Sequence, residues 1–190
     1  MAKFFDRIEP QLATFIGQQK IFFTASASAG SRINLSPKGS DCLRVLGLNE
    51  VVYLDQTGSG NETAAHVRGD GRLTIMFCAF EGPPNILRLY GQGRVLPRGG
   101  ADYARILASA FAGEEPPGAR QMIALDVESV QTSCGYSVPV YAFKNDRRTL
   151  TDWASRKGPA GIEAYWHEKN VTTIDGLPTG LDADLAEAAE

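Results

Sequence analysis

The sequence predicts a mainly β protein with flanking helices (an α+β fold), built around a closed or nearly closed β-barrel. Six or seven short runs rich in branched and aromatic residues are separated by Gly, Ser, Pro or Asn, a rhythm typical of successive strands. These runs do not alternate regularly with helical segments, which argues against a doubly wound parallel sheet. Many short strands with few long helices favour a barrel.

The first half of the chain contains a helix and four strands. Residues 5–18 have apolar side chains at helical spacing, interrupted by Pro10 near the start, and predict a helix over the mouth or side of the sheet. Short strands are predicted at 20–27, 32–37, 42–47 and 51–55. A short helix then follows the polar turn after Asp55 and ends at Gly69.

The second half begins with a hairpin, 72–80 and 85–96, in which leucines alternate with polar residues. An amphipathic helix at 101–112 and a long strand at 121–134 follow, and the pattern is helical from Arg147 onwards. We therefore divide the chain into a barrel domain, 1–145, and a helical C-terminal extension, 146–190. The acidic end of this extension is expected to be frayed or flexible.

Composition narrows the classes of partner. The 190 residues carry a net charge of -3, which does not indicate a nucleic-acid or anionic-membrane partner. There is no run long enough for a transmembrane helix and no signal-peptide pattern, so a cytoplasmic location is expected. The three cysteines lack CxxC spacing and are expected to be small buried hydrophobes. His66 and His167 lack metal-ligand spacing, and no metal site is predicted.

The turn from Thr57 to Thr63 is the least ordinary stretch. Ser59, Asn61 or Thr63 could cap the following helix, and the two glycines permit a tight turn, so the residue types need no ligand. One cap needs only one such residue, however, whereas several stand together here. Free backbone N–H groups at a positive helix end are also the ingredients of an anion site. The Gly-Lys-Ser/Thr pattern of a nucleotide triphosphate site is absent.

The stretch "RINLSPKG", 32–39, offers a second polar group. In a strand, Asn34 and Ser36 share a face with Arg32, and such a face usually points to solvent. The alternative is that Asn34 and Ser36 bind a ligand while Lys38 neutralises its phosphate. Arg88 is either an exposed strand residue or a second phosphate ligand. No catalytic side chains are identified, so any chemistry is expected to come from a bound cofactor.

Four segments together resemble one known family. They are "RINLSPKG", "VYLDQTGSGNETAAHV", "RLTIMFCAFEGPPNILRLYGQGRV" and "VQTSCGYSVPVY", and they occur in the family's order across about residues 15–145. The family is that of the pyridoxamine 5′-phosphate oxidase-like FMN-binding split barrels, and the likeness is greatest to its bacterial oxidase-related subgroup. It implies a six-stranded split barrel and a homodimer with two FMN sites between the subunits.

The resemblance also implies site residues. The first segment and the turn would hold the FMN phosphate and ribityl chain, Arg88 would add a phosphate ligand, and residues 131–134 would face the cleft from the partner subunit. The implied cofactor-binding residues are Asn34, Leu35, Ser36, Lys38, Thr57, Ser59, Asn61, Glu62, Thr63 and Arg88. The oxidase's C-terminal arginine-rich signature is missing here, which argues against pyridoxamine phosphate as the substrate.

Several functions are compatible with these observations. The first is an FMN-dependent oxidoreductase acting on an unidentified small substrate. The second is a non-enzymatic module that stores or senses flavin. A third keeps the barrel but binds haem or a deazaflavin, and a fourth is a dimeric barrel without a cofactor. A fold fixes none of these choices by itself.

Overall fold

The computed structural model describes residues 2–187, and its centre is one antiparallel sheet. The hydrogen-bonded order is β3-β2-β6-β7-β8-β5-β4, with β1 pairing β8. The two end strands, β3 and β4, do not pair with each other, so the barrel is split rather than closed, as predicted. It has eight strands rather than six. The strands are β1 (Lys3–Phe5), β2 (Phe22–Ser26), β3 (Asn34–Lys38), β4 (Leu43–Gly47), β5 (Glu50–Gln56), β6 (Arg72–Cys78), β7 (Ile86–Pro97) and β8 (Ala119–Ser133).

Five helices surround the sheet. They are α1 (Pro10–Gln18), α2 (Glu62–Gly69), α3 (Ala101–Ala110), α4 (Thr149–Lys169) and α5 (Leu181–Glu187). None of them is long and apolar enough to span a membrane. The expectation of a helix from residue 5 is wrong at its start, since Phe5 ends β1 and α1 begins at Pro10. Proline suits the first helical position, where its missing N–H costs nothing.

The core lies inside the barrel. Phe22, Phe77 and Leu87 pack there with Leu12 and Ile16 of α1, which closes one end. β5 and the first half of β8, residues 119–125, are buried on both faces, because a second apolar cluster packs between them and α3.

From β3 to β8, the face of the sheet that points away from the barrel core is partly exposed to solvent. Pro37, Phe23, Met76, Arg88 and Gln131 lie directly opposite one another on five successive strands. Cross-strand partners project to the same face, and these side chains alternate with the core residues along each strand. We call this surface the outer face.

The C-terminal extension has a small core of its own. Helix α4 is kinked at Gly158, whose φ of 66° is left-handed, and Pro159 starts its second half. Ala154, Ile162 and Trp166 pack with Leu181 of α5. Since residues 181–187 form a helix, the expectation of a frayed end is wrong for them, and 188–190 lie outside the described residues. The division into two domains at residue 145 remains a prediction.

Candidate functional site

The polar turn between β5 and α2 is buried. Thr57, Asn61 and Thr63 are at most 8% exposed, whereas Gly58, Gly60 and Glu62 are partly exposed and Ser59 is open to solvent. Asn61 occupies the N-cap position of α2, but its side chain makes no capping bond. Its amide instead accepts a hydrogen bond from Gln121 (2.7 Å) and donates to the Asn170 carbonyl (3.5 Å). The predicted cap is therefore replaced by contacts between distant parts of the chain.

A carboxylate shared by two cations lies beside this turn. Asp55 accepts a hydrogen bond from the Lys38 ammonium through Oδ1 (2.9 Å) and from Arg120 through Oδ2 (2.6 Å). Asp55 and Arg120 are 4% and 3% exposed and Lys38 is 22% exposed. We call these three residues the ion cluster. It carries one positive charge in excess of neutrality.

The charges in the ion cluster set the protonation state of Asp55. Burial alone would raise the pKa of this carboxyl, but the neighbouring charges of Lys38 and Arg120 outweigh burial and hold the pKa well below its usual value of 3.8. The carboxylate is therefore ionised at neutral pH. Burial also raises the pKa of the nearby Cys42 thiol to about 12, so this thiol is protonated and unreactive.

Arg120 connects the ion cluster to the turn and to the C-terminal extension. Its Nη1 donates to the Gly60 carbonyl (3.2 Å) and to the Asn170 side-chain oxygen (2.7 Å). Its Nε is buried and finds no acceptor among residues 2–187. Burying an unpaired donor of a charged group is costly, so Arg120 is held in an environment that does not fully satisfy it.

Residues 166–174, which we call the covering segment, close over the turn. The Trp166 indole N–H donates to Thr57 Oγ1 (2.7 Å), and the Asn170 amide donates to the Gly58 carbonyl (3.2 Å). The Ile174 N–H donates to the Glu62 carboxylate (3.4 Å). The small residues of the turn thus allow close packing against the same chain.

The predicted polar face of β3 points inward. Asn34, Ser36 and Lys38 alternate with outward residues, and Leu35 is 66% exposed. Ser36 lies opposite the buried Thr24, and the Asn34 amide donates to Thr63 Oγ1 (3.0 Å). The usual expectation, polar side chains toward solvent, is wrong here because the barrel end holds the ion cluster and the start of α2.

Arg88 lies on the outer face, away from the turn. The Arg88 guanidinium donates to Ser133 Oγ (3.2 Å), and no carboxylate of residues 2–187 forms an ion pair with it. Three strand spacings, about 14 Å, separate β7 from β3. In addition, Lys38 points inward whereas Arg88 is on the outer face, so the two residues lie on opposite faces of the sheet and are not brought together.

The ten predicted residues consequently form two groups. Eight lie around the turn and the inward face of β3, and Leu35 and Arg88 lie on the outer face. The inner eight are Asn34, Ser36, Lys38, Thr57, Ser59, Asn61, Glu62 and Thr63. Tyr90, also on the outer face, donates from its hydroxyl to Gln131 (2.9 Å), so residue 131 is on the same side as Arg88.

As folded, the turn does not fit a phosphate group. The Gly58 and Gly60 carbonyls face the donors of Asn170 and Arg120, so the turn presents acceptors to its buried side. The Glu62 carboxylate fills the space where a Cβ on Gly60 would lie and places negative charge at the start of α2. Both features oppose an anion. Arg88 and the exposed Leu35 remain open to a ligand.

Residues that sequence reasoning missed connect the site. Arg120 and Gln121 are the second and third residues of β8, and Asn170 follows α4. The sequence offered a sign of the role of Asp55, because a charged residue directly follows the apolar run of β5. It offered no sign for Asn170, since this residue is 109 positions from its partner Asn61 and the contact is visible only in the folded structure.

The cysteines and histidines lie apart from this site. Cys78 is buried as expected, but Cys134 is exposed because it directly follows the end of β8, which corrects the expectation for that residue. Both histidines lie in helices. The buried His66 pairs with Ser26 Oγ (3.1 Å), whereas His167 pairs with Asp182 (2.8 Å) at the surface.

Comparison with known proteins shows the family. The model of the pyridoxamine 5′-phosphate oxidase family matches residues 8–134. The pyridoxamine 5′-phosphate oxidase family protein ustO of Aspergillus flavus is 33% identical over 208 aligned residues, which span 100% of this chain and 82% of ustO. The chain belongs to the pyridoxamine 5′-phosphate oxidase family.

Solved structures share the fold at low identity. HupZ of Group A Streptococcus is 19% identical with a TM-score of 0.52, over 65% of this chain and 91% of HupZ. A Lactobacillus delbrueckii protein described as a candidate pyridoxamine 5′-phosphate oxidase is 13% identical with a TM-score of 0.50, over 66% of this chain and 94% of that protein. These likenesses show the fold alone.

Proposed function

We propose that the chain binds FMN and acts as a flavin-dependent oxidoreductase on an unidentified small substrate. The observation that carries the proposal is membership of the pyridoxamine 5′-phosphate oxidase family across residues 8–134. FMN, when bound, would supply the redox chemistry, while the protein would orient it and exclude water.

The outer face supports this proposal better than the turn does. Leu35 is exposed on the edge strand β3 and offers apolar contact. Arg88 is half-buried, has no carboxylate partner among residues 2–187, and is therefore free to pair with a phosphate. Gln131 lies opposite Arg88 on β8 and would add a hydrogen-bonding group. These three residues would hold the flavin.

A homodimer in the cytoplasm completes the proposal. The resemblance implies that the flavin sites lie between two subunits, with residues 131–134 contributed across the interface. Light scattering should give a particle of twice the 20.5 kDa chain mass. A monomeric mass at micromolar concentration would contradict the shared sites.

Titration with FMN and riboflavin tests the binding site. If Arg88 pairs with the phosphate, Arg88→Ala should weaken FMN binding by about 10- to 100-fold, the worth of a charge-assisted hydrogen bond. Riboflavin, which has no phosphate, should bind both proteins equally. Arg105→Ala is the matched control, because Arg105 is an exposed arginine paired with Asp102 on α3. Equal loss of FMN and riboflavin affinity would contradict the phosphate role.

Reduction of the bound flavin separates an enzyme from a storage or sensing module. An oxidoreductase should reduce bound FMN with NADH, NADPH or a small organic donor, whereas a storage module should not. The absorption spectrum in the same experiment distinguishes FMN from haem or a deazaflavin.

A further inference from the structure

A cavity with a volume of about 830 Å³ lies at the end of the barrel where β2 begins and β6 ends. Three segments form its walls: the α1–β2 connection (17–21), the β6–β7 loop (80–83) and residues 141–143, which we call the strap. Cavities of this size bind small organic molecules through apolar walls and a few polar groups that fix their orientation. The side chains of these three segments therefore indicate what the cavity can bind.

The strap supplies an aromatic wall that is already held in place. The Tyr141 N–H donates to the Phe80 carbonyl (2.9 Å), and the two rings stack with 5.7 Å between their centres. The Phe143 N–H donates to the Glu81 carboxylate (3.1 Å). Tyr141 and Phe143 nevertheless remain 62% and 45% exposed. Large apolar side chains that are fixed in place yet grouped at the surface are typical of a binding site.

Lys20 provides a positive charge beside this aromatic wall. Its ammonium lies over the Phe143 ring, 5.8 Å from the ring centre. It forms no ion pair with a carboxylate of residues 2–187. A cation over an exposed ring is held only weakly. The ammonium can therefore pair with the carboxylate of a ligand whose ring lies against the strap.

Glu81 limits such a ligand to one negative group. Lys20 and Glu81 are the charged side chains that line the cavity. The Glu81 carboxylate already accepts the Phe143 N–H, so it is engaged in holding the strap, whereas Lys20 has no carboxylate partner in the same part of the chain. Like charges that are brought together on binding weaken affinity. An acid with a single carboxylate therefore fits this cavity better than an amine or a dicarboxylate.

The cavity adjoins the outer face but does not share the side chains of the proposed flavin site. Ile21 lines the cavity, and it lies two residues before Phe23 of the outer face, so in extended chain the two project to the same side. The lining does not include Leu35, Arg88 or Gln131. A ligand in the cavity would therefore depend on contacts that FMN binding does not need.

We propose that this cavity binds an aromatic monocarboxylate. The aromatic ring of the ligand lies against Phe80, Tyr141 and Phe143, and its carboxylate pairs with the Lys20 ammonium. The volume of the cavity accommodates two fused rings. Binding of the acid does not depend on the proposed flavin function, so a failure of FMN binding leaves this site testable.

Titration of the full-length protein with naphthoate, followed by the fluorescence of this probe, tests the ligand class. Binding should saturate at one naphthoate per chain. At low ionic strength naphthoate should bind about fivefold more tightly than the neutral naphthamide, the worth of one partly exposed ion pair. Naphthylmethylamine and naphthalene dicarboxylate should both bind more weakly than naphthoate. Binding that does not saturate, equal affinities for acid and amide, or a tighter amine or dicarboxylate overturns the proposal.

Substitution of Lys20 locates the carboxylate. Lys20 is exposed, so Lys20→Gln should fold normally. It should reduce naphthoate affinity to that of naphthamide and leave naphthamide binding unchanged. Lys157→Gln is the matched control, because Lys157 also lies over aromatic rings, those of Trp153 (5.5 Å) and Tyr165 (5.4 Å), but on α4. Naphthoate affinity that is unchanged in Lys20→Gln, or that falls equally in Lys157→Gln, overturns the assignment.

Substitution of Tyr141 locates the ring. Tyr141→Ala removes one half of the stacked aromatic pair and should weaken naphthoate and naphthamide alike, by about threefold to tenfold, the worth of one aromatic contact. Tyr136→Ala is the control, since Tyr136 is 83% exposed and does not line the cavity. Unchanged affinity in Tyr141→Ala, or an equal loss in Tyr136→Ala, would place the ligand elsewhere and overturn the proposal.

Discussion

Asp55 and Arg120 form a buried ion pair, with 2.6 Å between Oδ2 and Nη2. The pair joins the end of β5 to the start of β8, and Asn170 extends it to the C-terminal helices. The polar residues of the β5–α2 turn are therefore organised by contacts within the chain. The turn connects the barrel to the extension at one buried point.

Removal of the Asp55 charge should strongly destabilise the protein. Asp55→Asn would leave two cations without a carboxylate in a buried site, which costs about 3–5 kcal/mol. Urea unfolding monitored by circular dichroism measures this. Asp126→Asn is the control, since Asp126 pairs with Arg94 at the surface and should cost less than about 1 kcal/mol. Equal effects would show that the ion cluster does not stabilise the fold.

The contribution of Asp55 should depend on pH with a defined sign. Its pKa in the folded protein lies below the usual 3.8, so its stabilisation is fully present above that value and is lost as the pH falls toward the folded-state pKa. The difference in unfolding free energy between the unmodified protein and Asp55→Asn should be constant above roughly pH 5 and shrink in more acidic solution. A difference that stays unchanged to pH 2.5 would contradict the depressed pKa.

The Trp166–Thr57 hydrogen bond should couple the extension to the barrel. Trp166→Phe keeps much of the ring but removes the N–H that donates to Thr57 Oγ1. A double-mutant cycle with Thr57→Val should give a coupling energy of about 0.5–1.5 kcal/mol. Trp153→Phe is the control, because Trp153 packs against Tyr165 and is not in this network. Simple additivity at Trp166 and Thr57 would refute the contact.

Lys38 and Arg88 should act independently because they lie on opposite faces of the sheet. Lys38→Ala should mainly lower stability by removing a partner of Asp55, whereas Arg88→Ala should mainly weaken FMN binding. Effects of separated sites add. Fluorescence titration and urea unfolding of the two variants and their double mutant check this. An FMN affinity loss in the double mutant far above the sum would mean that both residues touch one phosphate.

Local patterns were sufficient to predict most of the fold. Alternation placed Leu87 and Leu89 in the core and Arg88 on the other side of β7, and the turn residues marked the β6–β7 hairpin. The start of α1 was misplaced because Phe5 matched the helical spacing while its strand pairing with Val130 is non-local. Such pairing leaves no local trace.

The site could be predicted only in part. The sequence marked the turn and β3 as unusual, yet short polar residues suit both a ligand cradle and tight packing against another segment. The choice depends on Arg120 and Asn170, which lie far away in the chain. The face on which a strand residue points also depends on its neighbours, as the inward Asn34 and Ser36 show.

The visible absorption spectrum of the purified protein, before and after addition of FMN, tests the central claim most directly. We predict flavin absorption bands and, after denaturation, release of one FMN per chain. A protein that is colourless as purified and does not bind added FMN would contradict the proposed flavin function.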